Sequence, residues 1–214
     1  MYDPKTNSYS RTVEKFPGEH LHKRETTYYL KYNSQKGLYA IEKLSEDYDG
    51  TLQEKCFNYH IYLDLLFEAV GMIINRFKPQ KKNGNILIQS QNNCIEYEFN
   101  SKNYPLLNDK RFRNFIEHID ERDEVLIENK VYYGTFNLIY SKMDIKIKNE
   151  LLNTKKQQNN LLNLEDMTYT ILDVEKYNGS NIVKKVININ ILKDELIKIN
   201  NISKAIWNYL NTDF

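Results

Sequence analysis

The chain has 214 residues, 41% of them hydrophobic, which is enough to bury a core in one or two domains. Thirty Lys and Arg against 29 Asp and Glu leave a formal charge of +1, which excludes a polybasic nucleic-acid tail or an acidic solvating tail as a whole-chain explanation. Two cysteines (Cys56 and Cys94) make no disulfide framework, no apolar run reaches the roughly 18–20 residues of a membrane helix, and Met1 to Arg11 is too polar for a secretory signal, so a soluble cytoplasmic protein is expected.

In chain order, residues 1–20 contain Pro4, Pro17 and Gly18 without periodicity and are expected to form an irregular N-terminal arm. Leu21 to Tyr48 reads as a helix, with Leu38, Ile41, Leu44 and Tyr48 at three- and four-residue steps and Ser34 as a possible N-cap. Asp49-Gly50 is a turn. Leu52 to Phe77 carries the clearest helical pattern. Phe57, Ile61, Leu65, Ala69, Met72 and Arg76 make one stripe, Leu66, Val70, Ile73 and Phe77 lie beside it, and Pro79 stops the helix. Lys78 to Gly84 is expected as a short basic loop.

Between Asn85 and Tyr104 the period moves toward two, which predicts a small hairpin with its turn at Ser90 to Asn93. Asn108 or Asp109 is placed to cap a second amphipathic helix, from Asp109 to about Leu126, that buries Phe112, Phe115, Ile116 and Ile119. Val131 to Tyr140 reads as a strand or a hairpin through Gly134. Asp144 to Leu164 is charged and weakly periodic, a helix or a linker. Met167 to Lys176 and Asn181 to Ile191 are β-branched runs around Tyr177-Asn178-Gly179-Ser180, a hairpin signal. A helix from about Lys193 to Leu210 closes the chain. The class is therefore α+β, with a helical domain at 21–143 and a hairpin-plus-helix part at 144–214 packed on the same core.

The chemistry concentrates in Arg111-Phe112-Arg113-Asn114-Phe115-Ile116-Glu117-His118-Ile119-Asp120-Glu121-Arg122. Arginine is scarce in this Lys-rich chain, yet Arg111, Arg113 and Arg122 all fall here. On a helix Asn114 and His118 share a face. Arg113 lies roughly 140° around the axis from His118, so both can flank one polar edge, but one helix does not close a pocket around them. A second surface is needed, such as the same helix of another subunit. Asp109 and Glu117 are each four residues from Arg113. Glu121 is three from His118, where it could raise the imidazole above its reference value of about 6.5. Glu68, on the preceding long helix, could pair with Arg113 or Arg111.

An Arg followed by a polar residue and then a His after four to six intervening residues, near the start of a helix, resembles the signature of HEPN-domain ribonucleases. Arg113-Asn114-Phe115-Ile116-Glu117-His118 fits with four intervening residues, and Arg111 fits the looser spacing with six. The helix at Leu52 to Phe77 is similar to the one that packs against the motif helix in HEPN bundles. The likeness covers residues 21–140; the hairpins and the β-containing C-terminal part depart from a minimal bundle. The resemblance implies a mainly helical bundle and metal-independent RNA cleavage across a homodimer, of the kind found in toxin–antitoxin or phage-defence systems. Arg113, Asn114 and His118 are then catalytic, with Arg111 beside them and Glu68, Glu117 and Glu121 in support. It implies no cofactor or metal. RNA is the expected substrate and a cognate antitoxin protein a possible partner. Lys78, Lys81 and Lys82 could guide RNA phosphates. The competing reading is a non-catalytic HEPN-like binding or interaction protein, in which the same residues make an interface.

Other candidates are weaker. His20 and His22 have a strand-like metal spacing with nothing to complete it. His60 reads as a boundary histidine. Tyr28, Tyr29, Tyr32 and Tyr39 are of a type that stacks bases, although packing explains tyrosines in a chain with 17 of them.

Overall fold

The computed structural model describes residues 2–3, 5–6, 8–9, 19–77, 81–82, 85–86, 102–109, 112, 136–153, 160–174 and 182–211, and among these residues four full helices and a small mixed sheet predominate. The class is α+β. The chain forms two compact units, one from residues 1–39, 65–109 and 193–214, the other from 40–64 and 110–192. The sequence division at 143/144 falls inside the second unit.

Helix α1 (Glu19–Leu44) runs without interruption through Ser34, so Ser34 does not cap it. The Ser34 hydroxyl donates back to the Lys31 carbonyl at 3.0 Å, and the Asn33 amide donates to the Tyr29 carbonyl at 2.9 Å. These bonds satisfy Asn33 and Ser34 where they lie buried, and Lys23, Thr26 and Thr27 are buried on the same helix with Leu30. An apolar-periodicity reading does not register such a face. Within the segment expected as an irregular arm, β1 (Tyr2–Asp3) pairs antiparallel with β2 (Ser8–Tyr9).

Helix α2 (Leu52–Phe77) has the predicted bounds and part of the predicted face: Leu66, Ala69, Val70 and Ile73 are buried as expected. Its buried residues are Tyr59, Leu63, Leu66, Ala69, Val70, Ile73 and Ile74, whereas Phe57 is 65% exposed and Ile61 and Met72 are also exposed. The helix starts at a reciprocal capping box. The Thr51 hydroxyl accepts from the Glu54 N–H at 3.3 Å, and a Glu54 carboxylate oxygen accepts from the Thr51 N–H at 2.7 Å. Gly50 precedes it at φ +119°, where an added Cβ would sit 2.7 Å from the same carboxylate. By length and composition α2 could cross a bilayer, contrary to the expectation from apolar runs, but half of its most apolar window is buried in the protein, as a core helix requires.

In the first unit, α1 and α2 meet the last helix, α4 (Ile189–Asn211), around Gly37. A Cβ at that position would lie 2.9 Å from Leu196 and 3.6 Å from both Ala69 and Leu66. Glycine there permits the close approach. The segment expected as a basic loop is already strand at β3 (Lys81–Lys82), which pairs with β4 (Asn85–Ile86); the rest of the hairpin expected from 85 to 104, through residue 101, lies outside the described residues.

The second unit holds the sheet, in the order β5–β6–β7–β8. Strand β5 (Asn137–Ile139) is parallel to β6 (Leu161–Asn163), and the connection between them contains α3 (Ile145–Asn153). Parallel neighbours need a crossover of this kind, and it resolves the Asp144 to Leu164 segment into helix and strand. Ile139, Leu151 and Leu161 form a small core there, with Met143 against it. Strands β7 (Thr168–Val174) and β8 (Ile182–Asn188) form the predicted hairpin, in register from Thr168↔Asn188 to Val174↔Ile182. Both faces of β7 are covered, since Tyr169, Thr170, Ile171 and Leu172 are all buried. Helix α4 begins four residues earlier than expected because Asn188 caps it, accepting the Ile191 N–H at 3.1 Å.

Candidate functional site

Of the segment predicted as the motif helix, only Asp109 and Phe112 are described: Asp109 is not helical, and Phe112 is helical and buried, as the predicted apolar face requires. Arg111, Arg113, Asn114, Glu117, Glu121 and His118 lie outside the described residues, as does Lys78. Lys81 and Lys82 are placed as backbone in β3. Glu68, offered as a partner for Arg113 or Arg111, is engaged by Lys36 of α1 at 2.7 Å.

The segment just before the motif is tightly held. Residues 105–108 turn, with the Asn108 N–H donating to the Tyr104 carbonyl and the Asp109 N–H to the Leu106 carbonyl, each at 3.0 Å. Tyr104 and Leu107 are buried. The two carboxylate oxygens of Glu195, on α4, accept the N–H groups of Leu106 at 2.8 Å and Leu107 at 2.9 Å. Glu195 is 1% exposed. Burial pushes its carboxyl above the ordinary range, against the pull of the two amides and of Lys198. Sequence reasoning missed this anchor, because an acidic residue in an amphipathic helix reads as solvent-facing. The available signal was its place among buried neighbours, with Leu192, Leu196 and Ile199 spaced around it.

In the second unit a cleft of about 320 Å³ is lined by Tyr59, Tyr140 and Met167, with Glu46, Asp47 and Glu165 among its acidic groups. All three carboxylates are engaged: Asp47 by Lys55 at 3.2 Å and Lys142 at 2.8 Å, Glu46 by Lys43 at 2.6 Å, and Glu165 by Lys148. The two lysines hold the Asp47 carboxyl below its ordinary range. The cleft therefore presents no uncompensated carboxylate to a ligand. His60 is exposed, 3.6 Å from Asp64 and stacked on Phe136 with ring centroids 4.9 Å apart, in keeping with a boundary histidine. Burial raises the Cys56 thiol, which disfavours the nucleophilic thiolate. Among the described residues no cluster of three or more His, Cys, Asp or Glu side chains is placed to hold a metal ion.

The first unit carries a different kind of surface. Tyr28, Tyr29 and Tyr32 of α1 are all exposed. The Tyr28 and Tyr32 rings are near parallel, 12° apart with centroids at 6.3 Å, and Tyr28 also meets Trp207 of α4 at 5.6 Å. Arg24 and Lys31 lie over the Trp207 ring at 5.8 and 5.3 Å, and Arg76 of α2 lies over Tyr29 at 4.7 Å. The sequence offered these tyrosines only as a type; the missing signal was Trp207, far away in the chain.

Searches of family models, curated proteins and solved structures find no match to this chain.

Proposed function

We propose that the protein is a metal-independent endoribonuclease of the HEPN type, a cytoplasmic homodimer of toxin–antitoxin or phage-defence character that uses Arg113, Asn114 and His118. The observation that carries the reading is the Arg113-Asn114-Phe115-Ile116-Glu117-His118 spacing in a predicted amphipathic helix. The buried helical Phe112 and the anchored turn before it are consistent with that helix. His118 takes the proton of a ribose 2′-OH, whose oxygen attacks the adjacent phosphorus. The 5′-oxygen leaves as its bond to phosphorus breaks, taking a proton from a second imidazole, that of the dimer mate. Arg113 stabilises the charge that builds on the phosphoryl oxygens, and Asn114 orients His118 or the phosphate. Arg111 with Lys78, Lys81 and Lys82 attracts the strand, and a cognate antitoxin protein would cover the site.

Both motif side chains are expected on the polar edge of their helix, so replacing either should change stability by about 1 kcal/mol or less. His118→Ala and Arg113→Ala are expected to melt like wild type while losing cleavage of a labelled RNA by several orders of magnitude. Wild-type activity is expected to persist in EDTA and to leave 2′,3′-cyclic phosphate ends. Variants that cleave like wild type would remove the catalytic reading. A wild type that never cleaves would leave the interaction-protein reading.

A further inference from the structure

We propose that the aromatic surface formed by Tyr28, Tyr32 and Trp207, edged by Lys31 and Arg76, is a binding platform for single-stranded RNA, separate from the cleavage motif. It depends on the ribonuclease reading only for taking the nucleic acid to be RNA. The platform is built from helix spacing. Arg24, Tyr28 and Tyr32 lie four residues apart on α1, and Lys204, Trp207 and Asn211 follow three- and four-residue steps on α4. The two rows are tied by the Arg24 guanidinium, which donates to the Asn211 side-chain oxygen at 2.9 Å, and by the contact of Tyr28 with Trp207.

Two properties select a nucleic-acid strand. Tyr28 and Tyr32 are 51% and 54% exposed and their rings are near parallel, so aromatic surface is open to solvent, and every base has a π-face that can stack on such surface. Two cations lie over rings of this surface, Lys31 over Trp207 and Arg76 over Tyr29; among the described residues neither has a carboxylate partner, and the Arg76 Nε–H is buried without an acceptor there. Stacking faces beside uncompensated cations complement bases joined by phosphates. A site for an aliphatic protein partner would instead present Leu, Ile or Val, which this row of side chains lacks.

Trp207 is the chain's single tryptophan, so its fluorescence reports on the platform directly. Titration of the full-length protein with a decameric oligouridylate at low salt is expected to quench that fluorescence saturably, with affinity falling as salt rises. Tyr28→Ala and Tyr32→Ala should each weaken binding by about fivefold or more at unchanged circular dichroism. Tyr28→Phe, which keeps the ring, should bind like wild type. Lys31→Gln should lower the slope of log affinity against log salt by about 0.7. If Tyr28→Ala perturbs the fold through its contact with Trp207, Tyr32→Ala carries the test. No quenching of wild type, or equal affinity in wild type and Tyr32→Ala, would overturn the proposal. So would quenching by phosphatidylserine vesicles without any by the oligonucleotide. The outcome is independent of catalysis: Arg113→Ala and His118→Ala should quench like wild type, and binding by a protein that does not cleave would refute the ribonuclease while leaving the platform intact.

Discussion

Glu195 illustrates how one side chain can hold a loop that has no regular structure. A carboxylate with two acceptor oxygens matches two adjacent backbone N–H groups, and a buried amide without an acceptor costs about 1–3 kcal/mol. Glu195→Ala strands two such amides, at Leu106 and Leu107, and is expected to lower stability by about that much for each, as measured by urea unfolding. The pH dependence has a definite sign. Folding raises the Glu195 pKa, so its contribution is full below the ordinary glutamate value and declines as pH rises through the raised one. The melting-temperature advantage of wild type over Glu195→Gln should therefore be greatest in acid, below the ordinary glutamate value, and shrink as pH rises through the raised one. A difference that stays constant with pH would show that the carboxyl titrates normally.

At the level of elements, the start of α2 rests on Thr51 and Glu54. Thr51→Ala removes the hydroxyl from the capping box and should cost about 1 kcal/mol at neutral pH. Bonds from the Thr51 N–H and hydroxyl hold the Glu54 carboxyl below its ordinary value, so this contribution is present above that value and lost as pH falls. Thr51→Ala removes only the hydroxyl's share of this, since the backbone N–H bond remains, and the Glu54 N–H bond to the hydroxyl does not titrate. Wild type and Thr51→Ala should accordingly draw closer in stability in acid without meeting, which thermal melts at several pH values would show. The bounds of α2 were legible because Asp49-Gly50 and Pro79 punctuate a long apolar segment. Its buried face was legible in the second half, at Leu66, Ala69, Val70 and Ile73, but not in the first, where Tyr59 and Leu63 are buried while Phe57 and Ile61 offered an equally regular false stripe. The β7–β8 pairing was legible from two β-branched runs around Tyr177-Asn178-Gly179-Ser180, a turn that itself lies outside the described residues. The β5–β6 pairing was not, since three-residue parallel strands leave almost no periodic signal. The arginine–histidine spacing could be read directly from the chain. The aromatic platform could not, because Tyr28 and Trp207 become neighbours only on folding.

For the molecule as a whole, the proposed chemistry needs two copies, since one motif supplies one imidazole and one guanidinium. An isologous association through the motif helices would bring the second set into reach. Static light scattering at micromolar concentration is expected to give twice the chain mass, and a monomer at every concentration tested would argue strongly against the composite site.

The first unit draws on three separated stretches of chain, with α4 filling the place beside Gly37 that α1 and α2 leave between them. During synthesis α1 and α2 leave the ribosome long before α4 is made. Until then the place at Gly37 lacks Leu196, and the turn at 105–108 lacks its carboxylate anchor. Contacts so distant in sequence form late and slowly. A nascent chain therefore passes through an interval in which the segment preceding the motif is unsupported and Trp207 has yet to join Tyr28, so both proposed activities would switch on only as the last helix docks.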